Sequence, residues 1–287
     1  MTDDRFSRDD RFRGEAARPG LVKAVTSVSN PAVKDVRALS QRKRRAETGL
    51  FLAEGLKLVA DAVEAGWTVE TLVVAAEMMR HPVAGRVAAT ARSNGALVLE
   101  ANNAVMESVT RRENPQAVVG VFRQRLAELS ALDAAAATVI VVLEGVRDPG
   151  NLGTILRTAD AAGASAVVLV GDTTDPFGLE AVRASMGSIF NVPVARASLD
   201  AFLAWRDGFK GPVVGTHLAG AVDYRTVPYA EPAMLVMGTE QSGLSDRLAG
   251  ACTHLVKIPM AGKADSLNLA VSTAVALYEM RRERLRL

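Results

Sequence analysis

The sequence predicts an α/β protein of two domains, the second of which contains a mostly parallel sheet. Apolar runs typical of buried strands alternate with helical patterns through the second half of the chain. Polar, glycine-containing loops follow several of these strands, at the edge where parallel sheets bind ligands. The chain has 287 residues, 49% hydrophobic and 23% charged, which is enough for two ordinary globular domains.

The composition divides the chain into four segments. Residues 1–20 form a charge-balanced tail with little to bury, which we expect to be disordered. The first domain is expected at residues 21–125 and the second at residues 138–287. Residues 126–137 connect them, and their pattern fits either a helix or a flexible link.

Helix and strand patterns alternate in the first domain. Asn30 followed by Pro31 is a typical helix start, and the helix then runs into a basic segment. Gly49 and Gly55 bracket a short strand. Further strands are predicted at Val69–Ala75, 96–99 and 117–122, and further helices at Pro82–Ser93 and 103–109.

The basic segment consists of Arg42, Lys43, Arg44 and Arg45. Four consecutive cations are a reasonable footprint for a nucleic-acid backbone, and the first domain is the more basic of the two. A solvated helix end is the commoner explanation for such a run. The formal net charge of +2 is too small to indicate nucleic-acid binding by itself.

The second domain begins with a continuous apolar run at residues 138–143, as expected for a strand buried on both faces of a parallel sheet. Other strands are predicted at Ala166–Val170, 192–194, Val213–Thr216, 234–237 and 254–258. Helices are predicted at 179–188, 198–207, 245–251 and 266–286.

A polar segment follows the first of these strands. Asn151 is a fair helix cap there, and Gly163 ends the helix. The buried stripe of this helix is Leu152, Ile155, Leu156 and Ala159. Arg157 lies nearly two turns inside among small and apolar residues, so its guanidinium needs a partner, or it lies along the helix flank with its charged end in water.

Two later loops, residues 237–245 and 258–268, combine glycines with hydroxyl, amide and carboxylate side chains. Glycine lets the main chain approach a small ligand closely, so the loops predict a pocket formed largely by backbone. Gly238, Gly243 and Ser245 have the spacing of a phosphate-binding loop. However, Leu244 replaces the required lysine and Glu240 adds a negative charge, which argues against nucleotide hydrolysis.

Other classes lack their signatures. No G-x-G-x-x-G follows a strand and no G-x-S-x-G is present, which disfavours ordinary dinucleotide folds and serine hydrolases. Cys252 is the only cysteine and the chain has 3 histidines, so we expect no disulfide and no metal site. Without a signal-peptide core or an apolar run of ~18 residues, we expect a cytoplasmic protein.

The order of three motifs resembles motifs 1, 2 and 3 of the SpoU (TrmH) family of RNA ribose 2′-O-methyltransferases, within the SPOUT superfamily. The motifs are Asn151-x-Gly153-x-x-x-Arg157-Thr158, Met237-Gly238-x-Glu240-x-x-Gly243-Leu244-Ser245, and Ile258-Pro259-Met260 with Ser266-Leu267-Asn268. The similarity spans about 139–280. Residues 22–122, with the basic segment and Phe51-x-x-Glu54-Gly55, look like the family's RNA-binding domain related to ribosomal protein L30e.

The resemblance implies a deep trefoil knot, a homodimer packed through the knotted domain, and S-adenosylmethionine as methyl donor. The cofactor positions that it implies are Thr216, Gly238, Ile258, Met260 and Leu267. The positions that it associates with catalysis are Asn151, Arg157, Glu240, Ser266 and Asn268. For the dimer interface we expect the stripe of the last helix that contains Leu269, Thr273, Ala276 and Met280.

The resemblance leaves two questions open. The family proposal makes Arg157 the general base, but arginine stays protonated at neutral pH, so a phosphate clamp is the alternative. The expected acceptor is structured ribosomal RNA, with 23S rRNA favoured, and both a housekeeping role and a role in antibiotic resistance stay open. A tRNA methyltransferase and a non-catalytic RNA-binding protein are the alternatives.

Overall fold

The computed structural model of the protein describes residues 19–217 and 222–286. The predicted tail, residues 1–20, lies outside the described residues except for Pro19 and Gly20. The described residues form two sheets, one from each half of the chain, with helices packed around each sheet. This arrangement confirms the predicted α/β class, with the larger, parallel sheet in the second half.

The first sheet consists of β1 (Val22–Val25), β2 (Leu50–Glu54), β3 (Val69–Ala75), β4 (Leu97–Ala101) and β5 (Val118–Arg123). Its order is β1-β4-β3-β5-β2. Strand β4 is parallel to β1 and β3, whereas β5 pairs antiparallel with β2 and β3. The sequence did not predict β1, because most of this edge strand is exposed and it therefore lacks a buried pattern.

The helices around this sheet are α1 (Pro31–Ala38), α2 (Arg42–Thr48), α3 (Leu56–Glu64), α4 (Pro82–Ser93) and α5 (Asn103–Thr110). The Asn30 side chain accepts a hydrogen bond of 2.9 Å from the amide of Ala32, which confirms the predicted start of α1. The basic segment is a helix of its own rather than the end of α1. Gly49 ends this helix with a φ of 65°, a conformation that favours glycine.

The connector, residues 126–137, is neither the helix nor the flexible link that the sequence leaves open. It contains a 3₁₀ turn at Leu129–Ala131, and Ala127 forms a parallel bridge with Ala195. Leu129 and Leu132 pack against the core of the second sheet. The connector therefore extends the packed edge of that sheet.

The second sheet consists of β6 (Val139–Glu144), β7 (Ala166–Val170), β8 (Val194–Ala197), β9 (Val213–Thr216), β10 (Val222–Asp223), β11 (Ala233–Met237) and β12 (His254–Lys257). Its order is β10-β12-β9-β11-β6-β7-β8, and all neighbours run parallel. The carboxyl ends of these strands share one edge, which we call the carboxyl edge. Ligands of parallel α/β sheets bind at such an edge.

The helices of the second domain are α6 (Pro149–Ala161), α7 (Leu179–Ala184), α8 (Leu199–Arg206), α9 (Asp246–Gly250) and α10 (Leu269–Met280). Different helices cover the two faces of the sheet, as alternate residues of β6 show. Val141 and Leu143 belong to the apolar cluster that contains α6 and α10, whereas Ile140 and Val142 belong to the cluster that contains α8 and α9. Burial on both faces confirms the interpretation of this apolar run as an internal parallel strand.

Two helices are shorter than the sequence predicts. Helix α7 ends at Ala184 because Met186 and Gly187 have φ values of 51° and 104°, which do not fit a right-handed helix. Helix α10 begins at Leu269, since Asn268 caps it, so that Ser266 belongs to the preceding loop. The end of α7 is thus set by backbone conformation, and the start of α10 is set by a capping side chain.

The two domains meet in a common core that we call the seam. Its centre is an aromatic cluster of Phe51, Trp67 and Phe122 from the first domain with Phe177 and Phe190 from the second. The ring centroids of Phe51 and Phe177 lie 4.8 Å apart, and those of Trp67 and Phe190 lie 5.1 Å apart. The Trp67 indole N–H donates a hydrogen bond of 2.9 Å to the carbonyl of Phe190. Such contacts bury large apolar areas and fix ring orientation.

Two ion pairs complete the seam. Nη2 of Arg45 lies 2.8 Å from a carboxylate oxygen of Asp175. The guanidinium of Arg183 donates hydrogen bonds of 2.7 and 3.0 Å to the same oxygen of Glu54. The Glu54 side chain is only 1% exposed, so this ion pair lies largely inside the protein. Because both pairs join the two domains, they hold the domains in one relative orientation.

Candidate active site

A cavity opens at the carboxyl edge beside β9, β11 and β12. It contains about 780 Å³ of empty space, part of it open to solvent. All the residues that were predicted to bind a cofactor line this cavity: Thr216, Gly238, Ile258, Met260 and Leu267. Glu240 and Ser266, two of the predicted catalytic residues, line it as well.

The loop after β11 is closed by its own backbone. Thr239 and Gly243 exchange two amide-to-carbonyl hydrogen bonds of 3.0 Å. A Cβ atom on Gly238 would lie 2.0 Å from the carbonyl carbon of Gly243, a distance that no side chain can adopt. Glycine at position 238 is therefore required by the closure of this loop.

Strand β6 anchors the same loop through Glu144. The Glu144 carboxylate accepts a hydrogen bond of 2.8 Å from the amide of Ser245 and one of 2.6 Å from its hydroxyl. The Ser245 hydroxyl oxygen also accepts from the amide of Leu248 and so caps α9. The sequence analysis missed Glu144, because its partner is 101 positions away and no local pattern connects them.

Three of the predicted catalytic residues form a chain of hydrogen bonds. The side-chain amide of Asn268 donates to the side-chain oxygen of Asn151 at 2.9 Å. The side-chain amide of Asn151 donates in turn to the Glu240 carboxylate. The Asn268 side chain also caps α10 by accepting from the amide of Ala270 at 2.9 Å. The loops after β6, β11 and β12 therefore converge, and we call the cavity with these three residues the reactive end.

Asn151 is not the helix cap that the sequence analysis predicted. Asp148 caps α6, accepting a hydrogen bond of 2.6 Å from the Asn151 amide, and Pro149 is the first helical residue. The helix thus begins three residues earlier than its apolar stripe indicates. This cap leaves the Asn151 side chain to bind Glu240 and Asn268.

The other two predicted catalytic residues, Ser266 and Arg157, lie outside this chain of hydrogen bonds. Ser266 is exposed in the loop before α10 and lines the cavity. Arg157 is exposed on α6 and makes no hydrogen bond or ion pair within residues 19–217 and 222–286. It follows Asn151 by six residues, which places it about 9 Å along the helix and about 120° around it. Within one chain, Arg157 therefore does not face the reactive end.

The basic segment is divided by the seam. Arg42 and Lys43 are exposed, and the guanidinium of Arg44 lies 3.4 Å from the Asp35 carboxylate. Arg45 is buried and, besides its ion pair with Asp175, donates hydrogen bonds to two backbone carbonyls at the end of α1. A guanidinium so enclosed does not reach a phosphate in solution, which removes Arg45 from the predicted RNA footprint.

Residues 19–217 and 222–286 contain no group of three or more histidine, cysteine, aspartate or glutamate residues that could hold a metal ion. No helix of the described chain is long and apolar enough to cross a membrane. Burial of Cys252 raises the pKa of its thiol to about 11. The Cys252 thiol is therefore neutral and poorly nucleophilic near pH 7.

Comparison with known families identifies both halves of the chain. The model of the SpoU rRNA Methylase family matches residues 138–278. The model of an MRM3-like substrate binding domain matches residues 30–120.

Relatives with assigned activities match along the whole chain. The 23S rRNA (guanosine(2553)-2′-O)-methyltransferase RlmP of Bacillus subtilis is 33% identical, over 91% of this chain and 100% of its own length. The 23S rRNA (uridine(2479)-2′-O)-methyltransferase of Streptomyces viridochromogenes is 31% identical, over 96% of each chain.

Solved structures agree with these relatives. An AdoMet-bound rRNA methyltransferase from Sinorhizobium meliloti shares 53% identity and superimposes with a TM-score of 0.88, covering 92% of this chain and 99% of that chain. The SpoU methyltransferase AviRb from Streptomyces viridochromogenes, in complex with AdoMet, shares 30% identity with a TM-score of 0.80, covering 89% and 98%. The similarity thus includes both domains and their arrangement.

Proposed function

Because the chain belongs to the SpoU rRNA methylase family, we propose that it transfers the methyl group of S-adenosylmethionine to a ribose 2′-hydroxyl of 23S rRNA. The observation that supports this most strongly is the agreement between full-length relatives named for that reaction and a cavity lined by the loops of motifs 2 and 3, whose Glu240 is hydrogen-bonded to Asn151 of motif 1. The protein is an RNA 2′-O-ribose methyltransferase. A non-catalytic RNA-binding protein would not require the closed loop, the cavity and the polar chain to coincide.

Ribosomal RNA is favoured over tRNA as the acceptor. Three relatives that match at least 91% of this chain are named for 23S rRNA. Their names place the methyl group on three different nucleotides, guanosine 2553, uridine 2479 and adenosine 1067. The chemistry is therefore shared within the family, while the target nucleotide is a property of each member.

The residues around the cavity fit S-adenosylmethionine. Apolar side chains of Met237, Val256 and Leu269 offer a surface for a planar base, and the Thr216 hydroxyl and the loop backbones offer polar partners. The predicted contacts Gly238, Ile258, Met260 and Leu267 belong to the same walls. When bound, the cofactor supplies a methyl group that is already activated by its sulfonium. The protein then has to orient the ribose oxygen and remove its proton.

We infer that Glu240 accepts the proton of the 2′-hydroxyl, directly or through a water molecule. Its carboxylate lies in the cavity wall and is oriented by the amide of Asn151, which Asn268 orients in turn. Such a chain fixes the carboxylate before the substrate arrives, so that little reorganisation is needed during the reaction. Ser266 lies at the same wall, where its hydroxyl is available to the ribose.

Arg157 fits the role of a phosphate clamp better than that of a base. Arginine remains protonated at neutral pH, and the planar guanidinium binds phosphate through two parallel hydrogen bonds. Its exposure leaves all of its donors available. A cation held beside the reacting ribose stabilises the developing alkoxide oxygen.

We further propose a homodimer packed through α6 and α10. These helices pack against each other, and both Val271 and Tyr278 on α10 are 48% exposed. The stripe that the sequence analysis chose for the interface is wrong, because Leu269, Thr273, Ala276 and Met280 are buried within their own chain. Packing of two copies on the exposed face would allow Arg157 of one copy to reach the reactive end of the other.

A complementation experiment tests this arrangement. Arg157→Ala and Glu240→Gln are expected to be nearly inactive alone. Co-expressed, they form mixed dimers in which one of the two sites has both native residues, so about a quarter of the wild-type activity should return. A monomeric mass by light scattering at micromolar concentration, or no recovery in verified mixed dimers, would contradict the proposal.

The trefoil knot and the cytoplasmic location are also proposals. The knot is supported by the path of the chain after β12. This strand lies near one side of the sheet, whereas α10, which follows it, packs against α6 and against β11 at the middle of the sheet. A ribosomal RNA substrate supports the cytoplasmic location. Antibiotic resistance stays a prediction, which growth of cells with and without the gene on ribosome-targeting antibiotics would test.

The function is tested by methyl transfer in vitro. Purified protein, methyl-labelled S-adenosylmethionine and 23S rRNA transcribed in vitro should yield labelled RNA with one 2′-O-methyl group per molecule, mapped by primer extension. A transcript with a 2′-deoxyribose at the mapped position should remain unlabelled. Label in tRNA but not in 23S rRNA would overturn the assigned substrate, and no label in either RNA would overturn the function.

A further inference from the structure

A second cleft lies on the carboxyl edge, at the ends of β7 and β8 where the first domain approaches. Arg42 of α2 lines it from the first domain, and Arg196 of β8 lines it from the second. The side chains of Thr173 and Ser198 lie between them. The Ser198 oxygen accepts from the amide of Ala201, so its proton remains available for donation. Cations and hydroxyl donors from two domains thus surround one space.

The guanidinium of Arg196 is held in place. It donates a hydrogen bond of 2.8 Å to the carbonyl of Thr174 and lies 3.4 Å from the hydroxyl of Thr173. Its side chain is exposed along part of its length, while protein packed around it lowers the pKa of its guanidinium. The Asp175 carboxylate opposes this shift and the charge of Arg42 adds to it. Arg42 and Arg196 line the same cleft, and the positive charge of Arg42 is one of the causes that lower the Arg196 pKa.

The acidic groups nearby are already paired with other arginines. Asp175 forms its buried ion pair with Arg45. Asp172 lines the cleft itself, and its exposed carboxylate lies 3.4 Å from the guanidinium of Arg147, so that the two arginines outnumber the one carboxylate in the lining. Within the described ranges, neither Arg42 nor Arg196 forms an ion pair with a carboxylate. The cleft consequently keeps an excess of positive charge, which an anion would neutralise.

We propose that Arg42 and Arg196 form a clamp for a single backbone phosphate of the RNA, with one arm from each domain. The inference rests on the proposed function, since it names where that RNA is held. Strands β7 and β8 are two and three places from β11 in the sheet, so at ~4.8 Å per strand the clamp lies roughly 10–14 Å from the strand that leads to Glu240. The phosphate would then belong to a nucleotide near the methylated one.

The seam explains why a clamp shared between domains can work. Arg45, which pairs with Asp175, is on the same helix as Arg42, and Asp175 directly follows the Thr173–Thr174 segment that holds Arg196. The buried pair therefore fixes the distance between the two arms. A clamp fixed in advance loses little entropy when it binds.

RNA binding and its salt dependence test the clamp. The probe is 23S rRNA transcribed in vitro, titrated with the full-length protein by filter binding across a range of salt concentrations. One lost phosphate contact should lower the slope of log K against log salt by ~0.7–0.9, which corresponds to about sixfold weaker binding at 0.1 M salt. We expect this result for Arg42→Gln and for Arg196→Gln.

A double variant and a matched control sharpen the test. Since both arms hold one phosphate, Arg42→Gln with Arg196→Gln should weaken binding by less than the product of the single effects. Lys210→Gln removes an exposed charge before the amino end of β9, away from the carboxyl edge, and should leave the slope unchanged. S-adenosylmethionine affinity, measured by calorimetry, should be the same in all variants and serves as the control for folding.

Three results would overturn the clamp: an unchanged slope for Arg42→Gln, fully multiplicative effects in the double variant, or an equal loss in Lys210→Gln. Arg42 is exposed, so its variant remains informative even where Arg196→Gln disturbs the segment around Thr174. These outcomes are separate from failure of the proposed function. If the proposed function is wrong, the wild-type protein will transfer no methyl group to 23S rRNA, whatever the binding data show.

Discussion

The two ends of the carboxyl edge differ in how they are built. At the reactive end, beside β9, β11 and β12, the side chains of Asn151, Glu240 and Asn268 are polar, accessible and hydrogen-bonded mainly to one another. At the seam, beside β7 and β8, two arginine–carboxylate ion pairs and an aromatic cluster lie in a core shared by two domains. One end presents accessible polar groups to a small ligand, whereas the other is buried and fixed by packing.

This difference indicates a division of labour along one edge. Catalysis needs groups that meet the reacting atoms, and these groups are supplied by loops on a rigid sheet. A large RNA needs contacts at a fixed distance from that point, and a rigid junction between domains supplies them. We therefore expect substitutions at the seam to change stability and RNA binding, and substitutions at the reactive end to change the rate of methylation.

The largest effect is expected for Arg183→Ala at the seam. This change leaves the Glu54 carboxylate, only 1% exposed, without its partner. Removing one member of a buried ion pair typically costs ~3–5 kcal/mol of unfolding free energy. Lys57→Ala is the control, because its pair with Asp61 is exposed and such pairs contribute at most ~1 kcal/mol. Equal urea midpoints for the two variants would show that the seam does not hold the domains together.

The next effect concerns the reactive end. Glu240→Gln keeps the shape of the side chain but removes the proton acceptor, and Arg157→Ala removes a cation that is needed mainly in the transition state. Each should lower the single-turnover methylation rate by ~100-fold, the scale of losing one stabilising donor. Cofactor affinity should change little. Arg157→Lys separates the two roles of Arg157. Recovery of the methylation rate would favour a general base, whereas a rate as low as that of Arg157→Ala would favour a clamp that needs the planar guanidinium.

A smaller effect is expected from one methyl group in a cavity loop. Gly238→Ala places a Cβ atom 2.0 Å from the backbone of Gly243, so the loop must open at a cost of ~1–3 kcal/mol and cofactor binding should weaken by about 10- to 100-fold. Gly262→Ala is the matched control, because a Cβ atom there meets nothing within 4 Å. Wild-type affinity of Gly238→Ala by calorimetry would contradict the closed loop.

The last prediction concerns the packing around Cys252 and leaves the activity of the protein untouched. Because its thiol has a pKa raised to about 11, alkylation by iodoacetamide at pH 8 should be ~100-fold slower in the native protein than in urea. The rate should rise with pH up to that pKa. Because the pKa of Cys252 is higher in the folded state than its ordinary value, the thiol contributes to folding stability at neutral pH. This contribution is lost as the pH rises from the ordinary pKa towards the folded value of about 11. Equal native and unfolded alkylation rates would show that the thiol is not buried.

Local patterns were sufficient to predict much of the fold. Val69–Ala75 and Ala166–Val170 have the predicted bounds because their apolar runs end at turns, and Pro82–Ser93 does because proline begins it. The predicted cofactor residues line one cavity, since the ends of parallel strands share an edge. Where a cap decides the boundary, as with Asp148 before α6, the apolar stripe alone led to a wrong position.

Contacts between distant parts of the chain could not be predicted in this way. Arg45 looks like its neighbours in a basic run, and only the folded chain shows that Asp175, 130 positions away, covers it. Arg183 and Glu54 form their pair across 129 positions. A charged residue in a single sequence shows its sign but not its burial, and burial decides whether it serves the seam or the RNA.

The most direct test of the division of labour is single-turnover methylation of 23S rRNA as a function of RNA concentration. For Glu240→Gln, the account predicts a maximal rate lower by ~100-fold and an unchanged RNA concentration at half-maximal rate. For Arg42→Gln, it predicts a half-maximal concentration higher by about sixfold at 0.1 M salt and a maximal rate within about twofold of wild type. If Arg42→Gln lowers the maximal rate, or Glu240→Gln acts only through RNA affinity, the two ends do not have separate roles.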